Sequence, residues 1–249
     1  MLILLPPSET KRSGGAGRPL DLERLALPGL TPQREQVLAA LEELATDAAA
    51  SARILRLGAT QLHEIEHNAR VRTAPAMPAV DRYTGVLYDA LDAASLDSVA
   101  RSWLSRHVLI HSAPLGPVGA LDRIPAYRLG ASASLPGIAP LRRVWARAVT
   151  DALAAAAPPF VLDLRSEAYS ALGPVPESVP SLYVRVVAEA DGGAVRALNH
   201  FNKHAKGALV RRLAVARPRV RSREGLVRWA DAAGLRVRDG APGELELFA

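Results

Sequence analysis

Apolar positions along the chain fall into short unbroken runs and longer stripes of helical period. Residues 1–5 are continuously apolar and stop at Pro6-Pro7, which predicts a short buried strand. Thr31-Pro32 opens a stripe through Val37, Leu38, Leu41 and Leu44, predicting a helix with Pro in its first turn, running to about residue 57 with a break around 46–51. A second helix is expected over 60–72, and a Pro-rich linker over 74–80. Residues 95–104 read as a helix and 107–111 as a buried strand. A long Pro- and Gly-rich irregular segment follows, to about residue 130. The turn at 135–140 leads into a helix over 141–156, and 160–164 reads as another buried strand.

The last third predicts two strands, 182–190 and 194–200, joined at Asp191-Gly192-Gly193. Asn202 then caps a helix over 203–216, with Ala205, Leu209, Val210, Leu213 and Ala214 on its apolar stripe and Pro218 beyond its end. Ser222 caps a final helix, 223–233, closed by Gly234, and strands at 235–238 and 244–248 make a closing hairpin. Gly207 stands inside a helix at a cost of about 1 kcal/mol against Ala, which points to close approach by another backbone or by a ligand.

Charge changes the picture unevenly. The 249 residues carry a net charge of +6, but residues 1–100 sum to −3 and residues 101–249 to +9. Residues 196–228 hold ten basic side chains and one acid, Glu224. This concentration suggests a surface for double-stranded DNA or another polyanion; an ordinary solvated surface is the plain alternative. With no cysteine in the chain, disulfides, thiolate catalysis and cysteine metal sites are excluded. The N-terminal apolar run is too short for a secretory signal, and no stretch approaches the ~20 apolar residues of a membrane span, so no membrane association and a cytoplasmic location are expected.

Candidate chemistry begins with lysine. Of 31 basic residues only Lys11, Lys203 and Lys206 are lysine. An ammonium shifts its pKa on burial, whereas a guanidinium is a fixed planar fork, so a site that needs an ammonium would keep lysine against the arginine bias. Lys203 and Lys206 are expected to share a face in the first turn of their helix, where cations oppose the macrodipole and an anion would relieve the conflict. Ser8 and Lys11 follow the first strand, a usual place for ligand contacts. Asp122, Tyr127 and Arg128 lie in the long irregular segment, and Arg165, Ser166 and Glu167 follow the 160–164 strand. His63-Glu64-Ile65-Glu66-His67 fits the two-histidine pattern of zinc proteases, but no third ligand is evident. An exposed polar helix is the better reading, and neither metal nor cofactor is expected.

The segments MLILLPPSETK, YTGVLY, APLGPVGALDRIPAYRL, VLDLRSEAY and HFNKHAKG, in this order, resemble the bacterial YaaA family of peroxide stress proteins over nearly the whole chain. The resemblance implies one domain over residues 1–249, of α/β class: a mixed sheet with surrounding helices, a basic cleft and a helix-hairpin-helix-like element, for which LPGIAP at 135–140 is the candidate. It implies DNA binding without strong sequence preference and a role in limiting free iron and oxidative damage under hydrogen peroxide stress. No reaction comes with it. The family's Lys-x-x-Arg-Gly pattern is Lys203-x-x-Lys206-Gly207 here, and its Ala-Lys-Thr opening is Ser8-Glu9-Thr10-Lys11.

Two functions follow. In one, Arg211, Arg212, Arg217, Arg219, Arg221 and Arg223 contact DNA phosphates, with Lys203 and Lys206 lining the cleft. In the other, the chain is an enzyme for a phosphorylated or nucleotide-like small molecule. There Ser8, Lys11, Lys203 and Lys206 hold an anion, Arg128 clamps it, and Tyr127, Asp122 or Glu167 carries protons.

Overall fold

Unbroken apolar runs become the centre of a parallel sheet, because strands covered on both faces have no polar side to show. A computed structural model describes residues 1–189, 195–197 and 199–248. The first strand, β1 (Leu2–Leu5), is followed by 3-10 turns at Leu22–Arg24 and Pro28–Leu30. Then come α1 (Thr31–Ala45), α2 (Ala48–Ile54) and the short α3 (Glu64–Ala69). The middle of the chain forms β2 (Met77–Pro78), α4 (Ala79–Arg82), α5 (Val86–Leu91), α6 (Ser98–His107), β3 (Val108–Ser112), β4 (Gly116–Gly119) and β5 (Arg123–Ile124). Next are α7 (Leu141–Ala156), β6 (Val161–Asp163), α8 (Glu167–Ser170), β7 (Ser181–Glu189) and β8 (Val195–Ala197). The chain closes with α9 (Asn199–Ala216), α10 (Arg223–Ala232), β9 (Val237–Asp239) and β10 (Glu244–Phe248).

The main sheet runs β4-β3-β1-β6-β7-β10-β9, with β8 paired to the far end of β7. Its five inner strands are parallel, and β4 and β9 flank them antiparallel. This is an α/β architecture with a mixed sheet. Taken in chain order, the parallel strands stand 2-1-3-4-5, so the winding reverses between β1 and β6. Loops leaving neighbouring strands in opposite directions open a crevice beyond their carboxyl ends. Here those loops begin at Pro6 and at Leu164.

Buried side chains form one contiguous cluster from Ile3 to Leu247. The α1 stripe Val37, Leu38, Leu41 and Leu44 is buried in it, and the expected break before α2 falls at Thr46-Asp47, where the Asp47 carboxylate caps α2 through the Ala50 amide. Helices α5, α6 and α9 pack on one another and on β1 and β7, while α1, α2, α3 and α7 form a second group beside β4. Among the described residues no helix is long and apolar enough to cross a membrane.

Several expectations change. The helix expected over 60–72 shrinks to a 3-10 turn, Ala59–Gln61, and α3. The 74–80 linker is packed structure: Ala76, Ala79 and Val80 are buried and β2 pairs with β5, because backbone donors and acceptors taken into the interior must find partners. The irregular segment also contributes an edge strand, β4, to the sheet. Helix α9 starts at Asn199, so Asn202 lies inside the helix with its Oδ1 buried and unpartnered. The stretch 135–140 is a turn before α7 with strands and loops ahead of it, so it is not flanked by two helices. The expected Asp191-Gly192-Gly193 turn lies outside the described residues.

Gly207 meets its expectation. A Cβ there would overlap the carbonyl oxygen of Leu87 and come within 3.0 Å of the Ala90 Cβ, so α5 and α9 touch backbone to backbone. Helix propensity favours Ala over Gly by about 1 kcal/mol, but overpacking of this kind costs about 1–3 kcal/mol or more and acts against a main-chain atom that cannot rotate away. Gly207→Ala is therefore expected to destabilise the chain by about 2 kcal/mol, read as a lower urea midpoint at unchanged slope. A neutral or stabilising result would mean the two helices can separate freely.

Candidate functional site

The carboxyl end of β1 is held rigidly. Lys11 makes a single antiparallel bridge with Tyr83, and the Thr84 amide donates to the Thr10 carbonyl (3.1 Å). Gly85, at φ +92°, lets the loop close down: a Cβ there would lie 3.3 Å from Thr10 Oγ1 and 3.4 Å from Ser8 Oγ. The Lys11 ammonium donates to the carbonyls of Ser8 (3.0 Å) and Glu9 (3.2 Å) and stands 4.1 Å from the centroid of the Tyr127 ring. Burial pushes its pKa down to about 7; Glu64 and Glu9 oppose the shift, and Arg128 and Arg82 add to it.

Beyond Lys11 opens a cleft of about 430 Å³, lined by Glu9, Lys11, residues 53–56, 128–130 and 132–134. Its basic members are Lys11, Arg53, Arg56 and Arg128, and its one acid is Glu9. Arg53 and Arg56 are exposed and have no acidic partner among the described residues. Arg56 sits at φ +54°, a left-handed conformation uncommon for a residue with a Cβ. The Arg128 backbone is clamped by the buried Asn68 side chain, which accepts from its amide (2.8 Å) and donates to its carbonyl (2.9 Å). Its guanidinium reaches Glu9 (3.4 Å) and Glu64 (3.6 Å). Beneath the lysine, Tyr127 is fully buried. Its hydroxyl is 2.7 Å from that of Tyr83 and accepts from Ser112 (3.0 Å), and burial raises its pKa well above the ordinary value.

A second polar cluster lies past β6. The Arg165 guanidinium, fully buried, meets Asp163 through two bonds (2.9 and 2.7 Å) and donates to His111 Nδ1 and the Gly173 carbonyl (both 2.9 Å). An Arg donor at Nδ1 assigns the His111 proton to Nε2, which is buried and unpartnered. Burial, with Arg165 beside it, holds the His111 pKa well below its usual value. The buried Lys206 donates to the Arg165 carbonyl (3.4 Å) and lies 5.4 Å from the Tyr183 ring. Burial lowers its pKa to about 8 against the pull of Asp163.

The structure thus gathers Ser8, Lys11, Tyr127 and Arg128 at one place and sends the other two lysines elsewhere. Lys203 is exposed, while Lys206 is buried beside Arg165. Because α9 begins at Asn199, neither lysine is in its first turn, and the macrodipole conflict expected there does not arise. Three of the six arginines have structural partners. Arg211 donates to the carbonyls of Leu91 and Asp92 and to Ser95 (2.8–3.0 Å), Arg212 donates to the Ala233 carbonyl (3.0 Å), and Arg223 pairs with Asp239. Arg217, Arg219 and Arg221 are exposed. Asp122 fastens a turn by accepting from the Ala26 and Gly119 amides (both 2.7 Å), and Glu167 pairs with Arg185 on the surface (3.2 Å). Among the described residues no group of three or more His, Asp or Glu could hold a metal, and Glu64 of the His-Glu motif turns toward Arg128. Sequence reading missed Arg53, Arg56, Asp163 and His111. The one available signal was Asp163 inside an otherwise apolar run.

Comparison with known proteins places these residues in a wider set. Residues 1–240 match the model of a family described as peroxide stress protein YaaA. The chain is 42% identical over 243 residues to a UPF0246 protein of Corynebacterium glutamicum, covering 96% of this chain and 95% of that one. It is 42% identical over 215 residues to a UPF0246 protein of Streptomyces coelicolor, covering 86% and 82%. A similarity of 29% over 140 residues extends to an uncharacterized protein of Campylobacter jejuni, covering 56% and 57%.

The depressed pKa of Lys11 has two consequences of opposite sign. The charged amine that attracts an anion is lost as pH rises through about 7. Sulfate, which does not itself titrate in this range, is expected to bind the cleft up to about tenfold more weakly at pH 8 than at pH 6 by calorimetry, with Lys11→Arg flattening the profile. Between pH 7 and 10 the unfolded chain binds the proton more tightly than the folded one, so this group makes stability rise with pH over that window. Equal sulfate affinity at pH 6 and pH 8 in the unsubstituted chain would show that Lys11 does not govern the cleft.

Proposed function

The chain belongs to the family of the peroxide stress protein YaaA, and from that premise we propose that it acts in the cytoplasmic response to hydrogen peroxide. In this reading it binds duplex DNA and helps to limit free iron and oxidative damage. The observation that carries the DNA contact is the run after α9, where Arg217, Arg219 and Arg221 stand exposed with no acidic partner among the described residues. Arginines already committed to carbonyls or carboxylates, such as Arg211 and Arg223, have less to offer a phosphate. A nonspecific phosphate surface needs unpaired cations and little else, because release of condensed counterions supplies the free energy.

A second reading is favoured by a different observation. The Lys11–Arg128 cleft is too small to admit a duplex, but its volume of about 430 Å³ falls in the range of small-molecule sites. With Arg53 and Arg56, which have no acidic partner among the described residues, on its lining beside Lys11 and Arg128, it suits a small phosphorylated or carboxylated ligand. Both readings can hold in one protein, since the two basic regions draw on different residues.

Each has its own readout. Duplex affinity is expected to fall steeply with salt, and joint replacement of Arg217, Arg219 and Arg221 by Ala should flatten the log–log slope by about 2 to 3, at about 0.9 per lost phosphate contact. Salt-independent binding by the unsubstituted chain would sink the DNA reading. For the cleft, inorganic phosphate is expected to raise the melting temperature, and Arg128→Ala to remove most of that rise. Phosphate that stabilises the variant as well as the unsubstituted chain would place the anion elsewhere.

A further inference from the structure

Anion binding alone does not explain why residue 11 is lysine. The chain writes arginine at 28 of its 31 basic positions, and a guanidinium holds a phosphate or carboxylate through two parallel bonds where an ammonium offers a point charge. A guanidinium cannot lose its proton at neutral pH and attack carbon, whereas a desolvated lysine can.

The surroundings of Lys11 fit that difference. No carboxylate lies within ion-pair distance of its Nζ among the described residues; its hydrogen-bond acceptors are the uncharged carbonyls of Ser8 and Glu9, at 3.0 and 3.2 Å. The Tyr127 ring supports it from one side at 4.1 Å, and Tyr127 is itself fixed by Tyr83 and Ser112. The amine is held in place by the loop and ring while lining an open cleft. Its pKa of about 7 leaves an appreciable share of it as free amine at neutral pH. Arg53 and Arg56, without an acidic partner among the described residues, line the same cleft together with Arg128.

We propose that Lys11 is a nucleophilic amine that condenses with the carbonyl group of a small anionic aldehyde or ketone, whose phosphate or carboxylate is held by Arg53, Arg56 and Arg128. The proposal rests on the small-molecule reading of the cleft and adds the class of ligand. Nζ attacks the carbonyl carbon, and the C=O pair takes up a proton as the nitrogen gives one up, forming a carbinolamine. Loss of water then gives the imine. No electrons are gained or lost, and water is the only by-product.

Pyridoxal 5′-phosphate, an aldehyde carrying a phosphate, tests this on the full chain. After brief exposure near pH 7.5 the imines are fixed with borohydride and the modified peptides are quantified by mass spectrometry. With three lysines and one N-terminal amine, every modified position can be assigned. Lys11 is expected to label at least about tenfold faster than the exposed Lys203, because the arginines of the cleft collect the phosphate beside an amine whose pKa burial lowers to about 7. Inorganic phosphate should slow Lys11 and leave Lys203 unchanged, and joint Arg53→Ala and Arg56→Ala replacement should remove most of the difference. Lys11→Arg should retain sulfate binding by calorimetry while losing the label at that position. Labelling of Lys11 no faster than Lys203, in a chain that still binds sulfate in the cleft, would overturn the nucleophile and leave the anion site standing. Absence of both sulfate binding and fast labelling would overturn the two together.

Discussion

Three guanidiniums buried in the interior hold the irregular parts of this molecule in place. A buried carbonyl without a donor costs about as much as a lost hydrogen bond, and this chain takes long non-repetitive segments inside. Arg34 donates to the carbonyls of Leu115, Ala26 and Pro117 (2.6–3.1 Å). Arg82 donates to those of Ile124, Arg12 and Pro75 (2.5–3.1 Å). Arg165 ties the end of β6 to His111 and Gly173. Burial pushes Arg34 and Arg82 down to about 10, which still leaves both charged near neutral pH. Each bond to a carbonyl is therefore charge-assisted, of the stronger kind.

The candidate cleft is a product of this arrangement. The three carbonyls on Arg82 belong to the loop after β1, the segment before β2, and the strand just ahead of Tyr127. One side chain thus fixes both the backbone next to Lys11 and the backbone that delivers Tyr127 and Arg128. Asn68 completes the clamp on Arg128 from α3. Residues far apart in sequence share one wall because buried polar backbone had to be satisfied there, with no regular strand or helix spanning the whole distance.

That device was hidden in the sequence. Apolar runs and caps revealed β1, α1, α7, α10 and the closing hairpin, because period and capping residues are local signals. Gly207 signalled a close approach by backbone or ligand, and the structure supplies it as the α5–α9 contact. A buried arginine has no such signature in a chain with 28 of them. Arg34 reads as one more polar residue of an amphipathic helix, and Arg82 as one more surface charge. The same blindness turned the packed stretch at 74–80 into an expected linker. Summed charge also misled: the first 100 residues total −3 yet supply Lys11, Arg53 and Arg56 to the cleft.

Lysine scarcity picked out three positions, and the close spacing of Lys203 and Lys206 drew more weight to those two than to Lys11. Lys203 and Lys206 lie three residues apart on α9, far enough around the helix for one to face solvent and the other the core. Lys206 and Lys11 share a depressed pKa and a tyrosine ring nearby, so titration alone does not separate them. Access and electrostatics do. Lys206 is 5% exposed, and its charge is balanced mainly by Asp163, a carboxylate already committed to Arg165. It serves the interior. Lys11 is held by uncharged carbonyls at the edge of an open cleft that also exposes Arg53 and Arg56, which have no acidic partner among the described residues. An amine can act on a ligand only where the ligand can reach it, and Lys11 is both partly desolvated and open to a cavity of ligand size.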